Sequence, residues 1–332
     1  MAEITLPDTF VGQVTRWWPV AGARWLAALP ETVEQVLRDW DLRLAGTFPL
    51  SLNWVVRVLR ADGSTAVLKL GVPASEHLAR EAAALEFFAG RGAVALLARD
   101  PARGATLLEE ARPGVPARAV LGPVGARSRP DGPEPAPHGA GAGRAATARR
   151  DEAATAALIG VIRRLHRPAP PGLALPELAA RRVSFDEHLR RFPGDDPLPR
   201  ELVERAGRLF GELCATAPGR VVLHGDLHHD NVLTATREPW LAIDPHGVVG
   251  DPGYEVGAML YNPDPMGDDD TVLQLAPARV EQLAAGLDMP MDRVVAWGFV
   301  QAVLSGVWTA AAGGTDAGRP LRLARDLLPR LP

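Results

Sequence analysis

The sequence predicts an α+β fold in two lobes. Signals for β-strands are concentrated before residue 110, helical patterns dominate after residue 150, and the composition changes abruptly between them. A chain of 332 residues is long enough for two lobes, since one domain typically has about 100 to 200 residues. We therefore divide the chain into an N-terminal lobe (1–113), a connecting segment (114–150) and a C-terminal lobe (151–332).

The spacing of apolar residues defines the elements of the N-terminal lobe. The first 43 residues are predicted to form short helices, and the clearest of them begins at Pro30, a favourable first helical residue. Two runs rich in Val and Leu, 55–59 and 65–70, flank an Asp-Gly pair and predict an antiparallel hairpin. A helix closing at Gly90 and a strand at 105–109 follow.

The connecting segment is predicted to be disordered. Of its 37 residues, 28 are Ala, Gly, Pro or Arg, so it offers too little apolar surface to offset the entropy of ordering. A native tether and a frame-shifted stretch of GC-rich DNA both agree with this composition. Beyond it, 151–166 and 201–215 have helical spacing, and the remainder is mostly helical apart from short apolar runs before and after a polar loop.

Composition excludes several classes of protein. The single cysteine, Cys214, cannot form an intrachain disulfide, which is typical of a reducing cytoplasm. A net charge of −4 gives no basic surface for nucleic acid. Neither a signal sequence nor an uncharged apolar stretch of 18 residues is recognised, so we expect a cytoplasmic protein that does not span a membrane. We also expect a monomer or dimer.

Lysine is the rarest charged residue. Lys69 is the single lysine, and the other 35 basic residues among the 36 Lys and Arg are arginine. Such a bias is typical of a GC-rich gene in which arginine replaces lysine wherever a surface cation suffices. The planar guanidinium cannot replace a compact ammonium in a tight site, so Lys69 is a candidate functional residue. Composition alone does not distinguish a functional lysine from one that was retained by chance.

The densest polar group in the chain is the stretch HGDLHHDN at 224–231, held between two apolar runs. A second carboxylate, Asp244, follows another apolar run. Residues 221–270 contain ten Asp and Glu but only one basic residue, Arg237, which favours bound cations and Mg²⁺ in particular. An Asp followed five residues later by Asn, with a further Asp downstream, reproduces the spacing of a kinase catalytic loop.

Together, HGDLHHDNVL and WLAIDPHGVVGDPGYE resemble the aminoglycoside phosphotransferase superfamily, in its streptomycin 6-phosphotransferase and hydroxyurea phosphotransferase branch. The resemblance implies a protein-kinase-like fold, with an antiparallel sheet in a small N-terminal lobe and a larger, mainly helical C-terminal lobe. It also implies ATP-dependent transfer of the γ-phosphate to a hydroxyl of a cationic aminoglycoside, with streptomycin as the first candidate. Hydroxyurea or an amino-alcohol metabolite is the alternative acceptor.

The resemblance also implies roles for individual residues. It makes Asp226 the catalytic base, Asn231 and Asp244 the Mg²⁺ ligands, and Lys69 the cation on the phosphates of ATP, with Glu81 as its ion-pair partner. Further residues implied to bind the nucleotide are Ser51, and Glu110 with Ala111 in the hinge. Acids that could contact the substrate are Asp186, Glu187, Asp251 and Asp268.

Several of these residues also have a structural interpretation. Asp186 and Glu187 could form an ordinary helix start, as could Asp268, and the Gly-Asp-Pro-Gly turn favours Asp251 as a helix cap or a brace for the catalytic loop. His224 is expected to be a packed, hydrogen-bonded residue. His228 and His229 are expected at the loop surface rather than on a metal, and most of the eight tryptophans are expected in the core.

Two other classes of protein compete with the kinase. The Gly-Asp-x-His pattern with clustered histidines resembles a metallophosphoesterase motif, but none of the three asparagines is followed by the histidine which that class requires. An inactive kinase-like binding protein would lack one of the Lys, Asp, Asn and Asp residues, and all four are present.

Overall fold

A computed structural model of the chain describes residues 5–73, 75–122, 137–267, 270–315 and 318–331. The N-terminal lobe contains eight elements, which are α1 (Asp8–Trp17), α2 (Pro19–Asp39), β1 (Leu42–Thr47), β2 (Trp54–Arg60), β3 (Thr65–Leu70), α3 (Glu76–Phe88), β4 (Leu96–Asp100) and β5 (Ala105–Glu109). The elements that follow are β6 (Pro113–Pro116), α4 (Arg118–Leu121), α5 (Pro137–Leu165), α6 (Val183–Arg191), α7 (Arg200–Ala215), β7 (Val221–Leu223), β8 (Val232–Ala235), β9 (Trp240–Ala242), β10 (Val248–Gly250), α8 (Thr271–Leu287), α9 (Met291–Ala311) and α10 (Gly318–Leu327).

The N-terminal lobe is built on a five-stranded antiparallel sheet in the order β1-β2-β3-β5-β4. The hairpin predicted from the Asp-Gly pair is confirmed as β2 and β3, with Val56 opposite Leu68. Its turn is stabilised by Asp62, which accepts the backbone N–H of Ser64 at 2.9 Å. The helix and strand predicted after the hairpin are confirmed as α3 and β5.

The two faces of β3 pack against different parts of the molecule, because successive side chains of a strand alternate between faces. Ala66, Leu68 and Leu70 are buried with apolar residues of α1 and α2 on one face. Val67 packs on the other face, against the core that includes α3 and the C-terminal lobe. Lys69 shares that second face, so the pleat of β3 turns the lone lysine towards the junction of the lobes.

The predicted helix start at Pro30 is wrong. Pro30 lies inside α2, which is 21 residues long. An interior proline costs a helix about 3 kcal/mol, but Trp25, Leu29, Val33 and Val36 form one continuous buried stripe on either side of it. Packing of that stripe against the sheet keeps the helix continuous.

Three short strands and a two-stranded ribbon carry the polar loops of the C-terminal lobe. β8 pairs with β6 and β9, and β7 pairs with β10, all antiparallel. The loop 224–231 therefore connects the ribbon to the three-stranded sheet, and Asp244 lies on the return connection. Because β5 belongs to the N-terminal sheet and β6 pairs with β8, the chain crosses between lobes at residues 110–112.

The prediction that residues 114–150 lack regular structure is wrong at both ends of the segment. β6 and α4 occupy its beginning, and α5 runs through residues 137–150. Ala117 N–H donates to Val232 O of β8 at 2.8 Å, and Arg118 pairs with Asp230 at 2.9 Å. Contacts with β8 and with the loop 224–231, called the catalytic loop below after the resemblance, therefore hold α4 in place. Alanine favours helix, which explains α5. The rest of the prediction, for 123–136, lies outside the described residues.

Of the helices in the described part of the chain, α9 alone is long and apolar enough to cross a membrane, and 78% of its apolar window is buried. The expectation that the chain has no uncharged apolar stretch of 18 residues is therefore wrong. Trp297, Phe299 and Val303 lie in the main core, and α7, α8 and α10 all contact α9. α9 is the central helix of the C-terminal lobe.

Candidate active site

A continuous cleft separates the two lobes. It consists of a cavity of about 280 Å³ against the hinge and a cavity of about 320 Å³ against the catalytic loop. Both are lined by Ser51, Asn53, Lys69 and Asp244, so these residues lie where the two cavities meet. The structure thus places the lone lysine and the downstream aspartate in the middle of the cleft.

Lys69 is held between two carboxylates. Its Nζ lies 2.7 Å from Glu81 Oε2 on α3 and also forms an ion pair with Asp244. Burial opposes the charge on Lys69, but Asp244 and Glu81 outweigh it and raise the pKa of the lysine. Burial raises the pKa of Glu81 to about 7, although Lys69 opposes the shift. The predicted pairing of Lys69 with Glu81 is present, and it fixes the ammonium in the cleft.

Two buried side chains, Glu255 and His224, hold the backbone of the catalytic loop in place. Glu255 accepts the backbone N–H groups of His224 at 3.2 Å and Gly225 at 2.8 Å. His224 Nε2 lies 2.8 Å from Ile243 O, and its Nδ1 accepts the N–H of Asp226 at 3.3 Å. Burial lowers the pKa of His224 to about 4, so the ring is neutral near pH 7 and donates to Ile243. This agrees with the structural role expected for His224.

Asp226 reaches into the cleft from this braced loop. Its side chain is 38% exposed, and Oδ2 lies 3.7 Å from the ring nitrogens of both His228 and His246. Burial raises the pKa of Asp226, but the neighbouring His228 outweighs it, so the pKa lies below its usual value. Burial lowers the pKa of His246 to about 4. Asp226 is therefore an ionised acceptor that faces the cleft.

Asn231 and Asp244 offer oxygen atoms beside Asp226. Asn231 Nδ2 donates to Asp226 O at 2.9 Å, which leaves Oδ1 as the side-chain acceptor. Asp244 is half exposed and has a φ of 57°. The next turn needs a glycine, since Gly247 has a φ of 60° and a Cβ there would lie 2.7 Å from Arg80 O of α3. Because the backbone at Gly247 approaches α3 so closely, the segment that follows Asp244 packs against the helix that carries Glu81.

The donor set fits a magnesium ion that is shared with phosphates. Mg²⁺ prefers oxygen ligands and commonly takes one or two carboxylates, with phosphates and water completing its shell. Asn231 Oδ1 and Asp244 are donors of this kind, and both line the cavity that contains Asp226. In the described part of the chain, no group of three or more His, Cys, Asp and Glu side chains is arranged to hold a metal alone.

The cavity against the hinge has apolar walls suited to a flat ring. They are formed by Val55, Val67, Val94, Leu108, Leu233 and Ile243. Glu110 and Ala111 also line this cavity, and Glu110 directs its side chain to Arg57 at 2.6 Å. Because that carboxylate is 5% exposed, Glu110 offers the cavity mainly its backbone. The predicted nucleotide residues Ser51, Glu110 and Ala111 thus all lie at the cleft.

Three of the four acids suggested for substrate contact, Asp186, Glu187 and Asp251, do not line the cavity that contains Asp226. Asp251 is 1% exposed and accepts the N–H of Gly253 at 2.8 Å, so it caps a short helical turn rather than contacting substrate. It also pairs with Arg293. Asp186 and Glu187 are exposed on α6, and Glu187 lines a separate cavity of about 460 Å³ between α6 and α9. Asp268 lies outside the described residues.

The expected surface position of His229 is wrong. His229 is fully buried, and neither ring nitrogen has a hydrogen-bond partner among the described residues. Burial and the nearby Arg279 lower its pKa well below the usual value. Adjacent loop residues point in opposite directions, so His228 faces Asp226 while His229 enters the core.

Several residues of the cleft were not found from the sequence. Asn53, His77 and His246 line it, as do Trp17 and Trp18. The two tryptophans were missed because tryptophan is usually a core residue, and the histidines because only spatial proximity links them to Asp226. The scarcity of asparagine, with three in the chain, was the one signal that could have indicated Asn53.

Arg181 was also missed, although it contacts the catalytic loop. It donates to Gly225 O at 3.1 Å and also to the hydroxyl of Tyr254. Trp308, expected in the core, is 39% exposed, and Arg181 lies over its ring at 5.5 Å from the centroid.

Solved structures share this two-lobed arrangement. A choline kinase from Streptococcus pneumoniae matches with a TM-score of 0.54 and 9% identity, covering 89% of this chain and 95% of its own. A macrolide 2′-phosphotransferase from Brachybacterium faecium matches with a TM-score of 0.53 and 16% identity, covering 89% and 97%. The fold is protein-kinase-like, as predicted.

Sequence relatives cover almost the whole chain. Streptomycin 6-kinase from Streptomyces griseus is 33% identical over 324 residues, which span 94% of this chain and 93% of the relative. Hydroxyurea phosphotransferase from Kitasatospora aureofaciens is 33% identical over 316 residues, spanning 94% and 82%. The family model for aminoglycoside/hydroxyurea antibiotic resistance kinases matches residues 42–123 and 142–313. The chain therefore belongs to this kinase family and is a phosphotransferase whose acceptor is a hydroxyl group.

Proposed function

We propose that this protein transfers the γ-phosphate of ATP to a hydroxyl group of streptomycin. The observation that carries the proposal is the similarity to streptomycin 6-kinase of Streptomyces griseus, at 33% identity over 93% of that enzyme, in a chain with a complete kinase cleft. The hydroxyurea phosphotransferase has the same sequence identity of 33%, although the match spans only 82% of that enzyme. Hydroxyurea is therefore the competing acceptor. Use of ATP would locate the reaction in the cytoplasm.

The nucleotide would lie along the cleft from the hinge to Lys69. Backbone groups of Glu110 and Ala111 border the apolar cavity and would bind the adenine edge. Lys69 would hold the phosphates, and Glu81 at 2.7 Å would keep its ammonium in place. Ser51, where the two cavities meet, would approach the same phosphates.

Asp226 would act on the acceptor. An ionised carboxylate beside the attacking hydroxyl can accept its proton and align its oxygen with the γ-phosphorus. The brace formed by Glu255 and His224 fixes the backbone from which Asp226 projects. Positioning of this kind supplies much of the acceleration in phosphoryl transfer, because little covalent chemistry is required of the protein.

Asn231 and Asp244 would hold Mg²⁺. When bound, the ion would neutralise charge on the transferring phosphates. Asp244 also keeps Lys69 charged, since its carboxylate helps to raise the pKa of the ammonium. The protein thus supplies one cation itself and the oxygen ligands for another.

The decisive experiment measures ADP release by the purified protein with Mg²⁺ and ATP in the presence of streptomycin, other aminoglycosides or hydroxyurea. We expect streptomycin to stimulate turnover well above the rate with water alone. Stimulation by hydroxyurea alone would move the assignment to the competing acceptor. If no acceptor stimulates ADP release, the proposal of streptomycin as the acceptor is overturned.

A further inference from the structure

The connection between α1 and α2 presents two adjacent indole rings to the cleft. Trp17 ends α1, and Trp18 precedes α2. Both line the cavity that contains Asp226. Trp17 is 57% exposed, which is unusual for so large an apolar side chain on a protein surface. We call this connection, residues 16–22, the tryptophan corner.

Both lobes hold the tryptophan corner in place. Phe10 and Val14 of α1 are buried against the N-terminal sheet. Gly22 lets α2 pack closely on α1, since a Cβ there would lie 2.9 Å from Val14 O and 3.3 Å from the Trp18 Cβ. On the other side, Arg16 donates to Ala312 O at the end of α9 in the C-terminal lobe. A cation at a helix C-terminus is favoured by the helix dipole.

The corner therefore lies at the cleft and lines the same cavity as the catalytic loop. Its indoles and the carboxylate of Asp226 face one cavity. Lys69 is already paired with Glu81 and Asp244, and the basic groups nearest Asp226 are the rings of His228 and His246 at 3.7 Å. Asp226 therefore supplies negative charge to the cavity without a lysine or arginine partner within the described residues. A cavity lined by an ionised carboxylate and two tryptophans suits a cationic group.

We propose that Trp17 and Trp18 bind a guanidinium or ammonium group of the acceptor by cation–π contact, and so select cationic acceptors over neutral ones. The inference rests on the proposed function, because it concerns the acceptor of the same reaction. It assigns the choice of acceptor to a part of the chain, residues 16–22, that precedes the residues matched by the family model.

The test compares Trp17→Leu with the unaltered protein. Leucine keeps apolar bulk but removes the aromatic face, and the exposure of Trp17 means that folding should not suffer. We expect KM for streptomycin, which carries two guanidinium groups, to rise by about 2- to 30-fold, the range for loss of one cation–π contact. KM for ATP should not change. Trp17→Phe, which keeps an aromatic ring, should recover most of the loss.

Two controls separate this inference from a general defect. Trp40→Leu removes a half-buried indole at the far end of α2 and should leave KM for streptomycin unchanged once the thermal stability is confirmed. In Trp17→Leu itself, KM for ATP should match that of the unaltered protein, because Trp17 does not line the cavity against the hinge. An unchanged KM for streptomycin in Trp17→Leu, or an equal rise for ATP, would overturn the inference while the phosphotransfer itself stands. If the unaltered protein forms no phosphorylated product, the proposed function fails instead.

Discussion

Lys69 illustrates how much one side chain in this cleft depends on its exact shape. Its ammonium contacts Glu81 and Asp244 at once, and only 4% of the side chain is exposed. A guanidinium is wider and planar, so it cannot occupy the same point between two carboxylates. The survival of one lysine among 35 arginines is explained if the site requires this compact cation.

We expect Lys69→Arg to fold normally and to be severely impaired as a kinase. A displacement of about 1 Å in a bound group can cost about 100-fold in rate, so kcat/KM for ATP should fall by at least that order. Steady-state kinetics and a thermal melt measure the two properties separately. Arg60→Lys, a swap of the opposite sense on β2, is the matched control and should leave both unchanged. Near-normal activity of Lys69→Arg would mean that the lysine survived by chance.

Glu255 makes stability depend on pH. Burial raises its pKa to about 7 from an ordinary value of 4.5, although the N–H groups of Gly225 and His224 oppose the shift. The folded state therefore binds this proton more tightly than the unfolded state, and its contribution to stability is lost as pH rises from 4.5 to 7.

Urea unfolding at pH 5 and pH 7.5 tests this contribution. The free energy of unfolding of Glu255→Gln should change less over that interval than that of the unaltered protein, with a difference of about 3 kcal/mol. Glu152→Gln, on the exposed side of α5, should behave like the unaltered protein. Identical pH dependence in all three proteins would show that Glu255 does not titrate in this range.

At the scale of elements, α2 shows where packing overrides a local signal. Pro30 removes one helical hydrogen bond, yet the buried stripe of α2 continues across it. We expect Pro30→Ala to raise the free energy of unfolding by about 1 to 3 kcal/mol, because alanine restores the missing N–H without altering the stripe.

The matched control for that substitution is Pro19→Ala at the start of the same helix. The first helical residue has no intrahelical acceptor for its N–H, so this change should not stabilise the protein. Chemical denaturation measures both variants. Equal effects of the two substitutions would contradict the explanation from the interior position of Pro30.

The sequence predicted those elements whose signals are local. The hairpin β2–β3 was found because an Asp-Gly pair separates two apolar runs, and the contact of Lys69 with Glu81 came from the family resemblance. Asp251 remained ambiguous, since only its burial identifies it as a cap. The tryptophan corner was missed because nothing in the sequence indicates that α1 meets the end of α9. Contacts between distant parts of the chain carry no signal in local spacing.

At the scale of the whole molecule, the connecting segment separates two parts of one fold. The family model matches up to residue 123 and resumes at 142. Gly122 lies against Arg150 of α5, since a Cβ there would be 2.7 Å from the Arg150 guanidinium. The described chain thus stops at Gly122, beside the middle of α5, and resumes at Pro137, the first residue of that helix. Kinase-family membership also overturns the metallophosphoesterase alternative.

We expect replacement of residues 124–141 by a Gly/Ser linker of about eight residues, which spans up to about 26 Å, to preserve both the melting temperature and kinase activity. The matched comparison places the same linker at 116–123, which would remove α4 and its contact with Asp230 and should lower activity. Loss of activity in the first variant would show that 124–141 contribute to the site.

The central claim is that Asp226 serves the transfer of phosphate to an acceptor hydroxyl. Mass spectrometry of streptomycin incubated with Mg²⁺ and ATP tests it most directly, using the unaltered protein and Asp226→Asn in parallel with a nucleotide-binding measurement. We expect the unaltered protein to add one phosphoryl group to streptomycin, and Asp226→Asn to bind ATP but form no product. Equal product formation by Asp226→Asn would contradict the assigned role, and no product from the unaltered protein would contradict streptomycin as the acceptor.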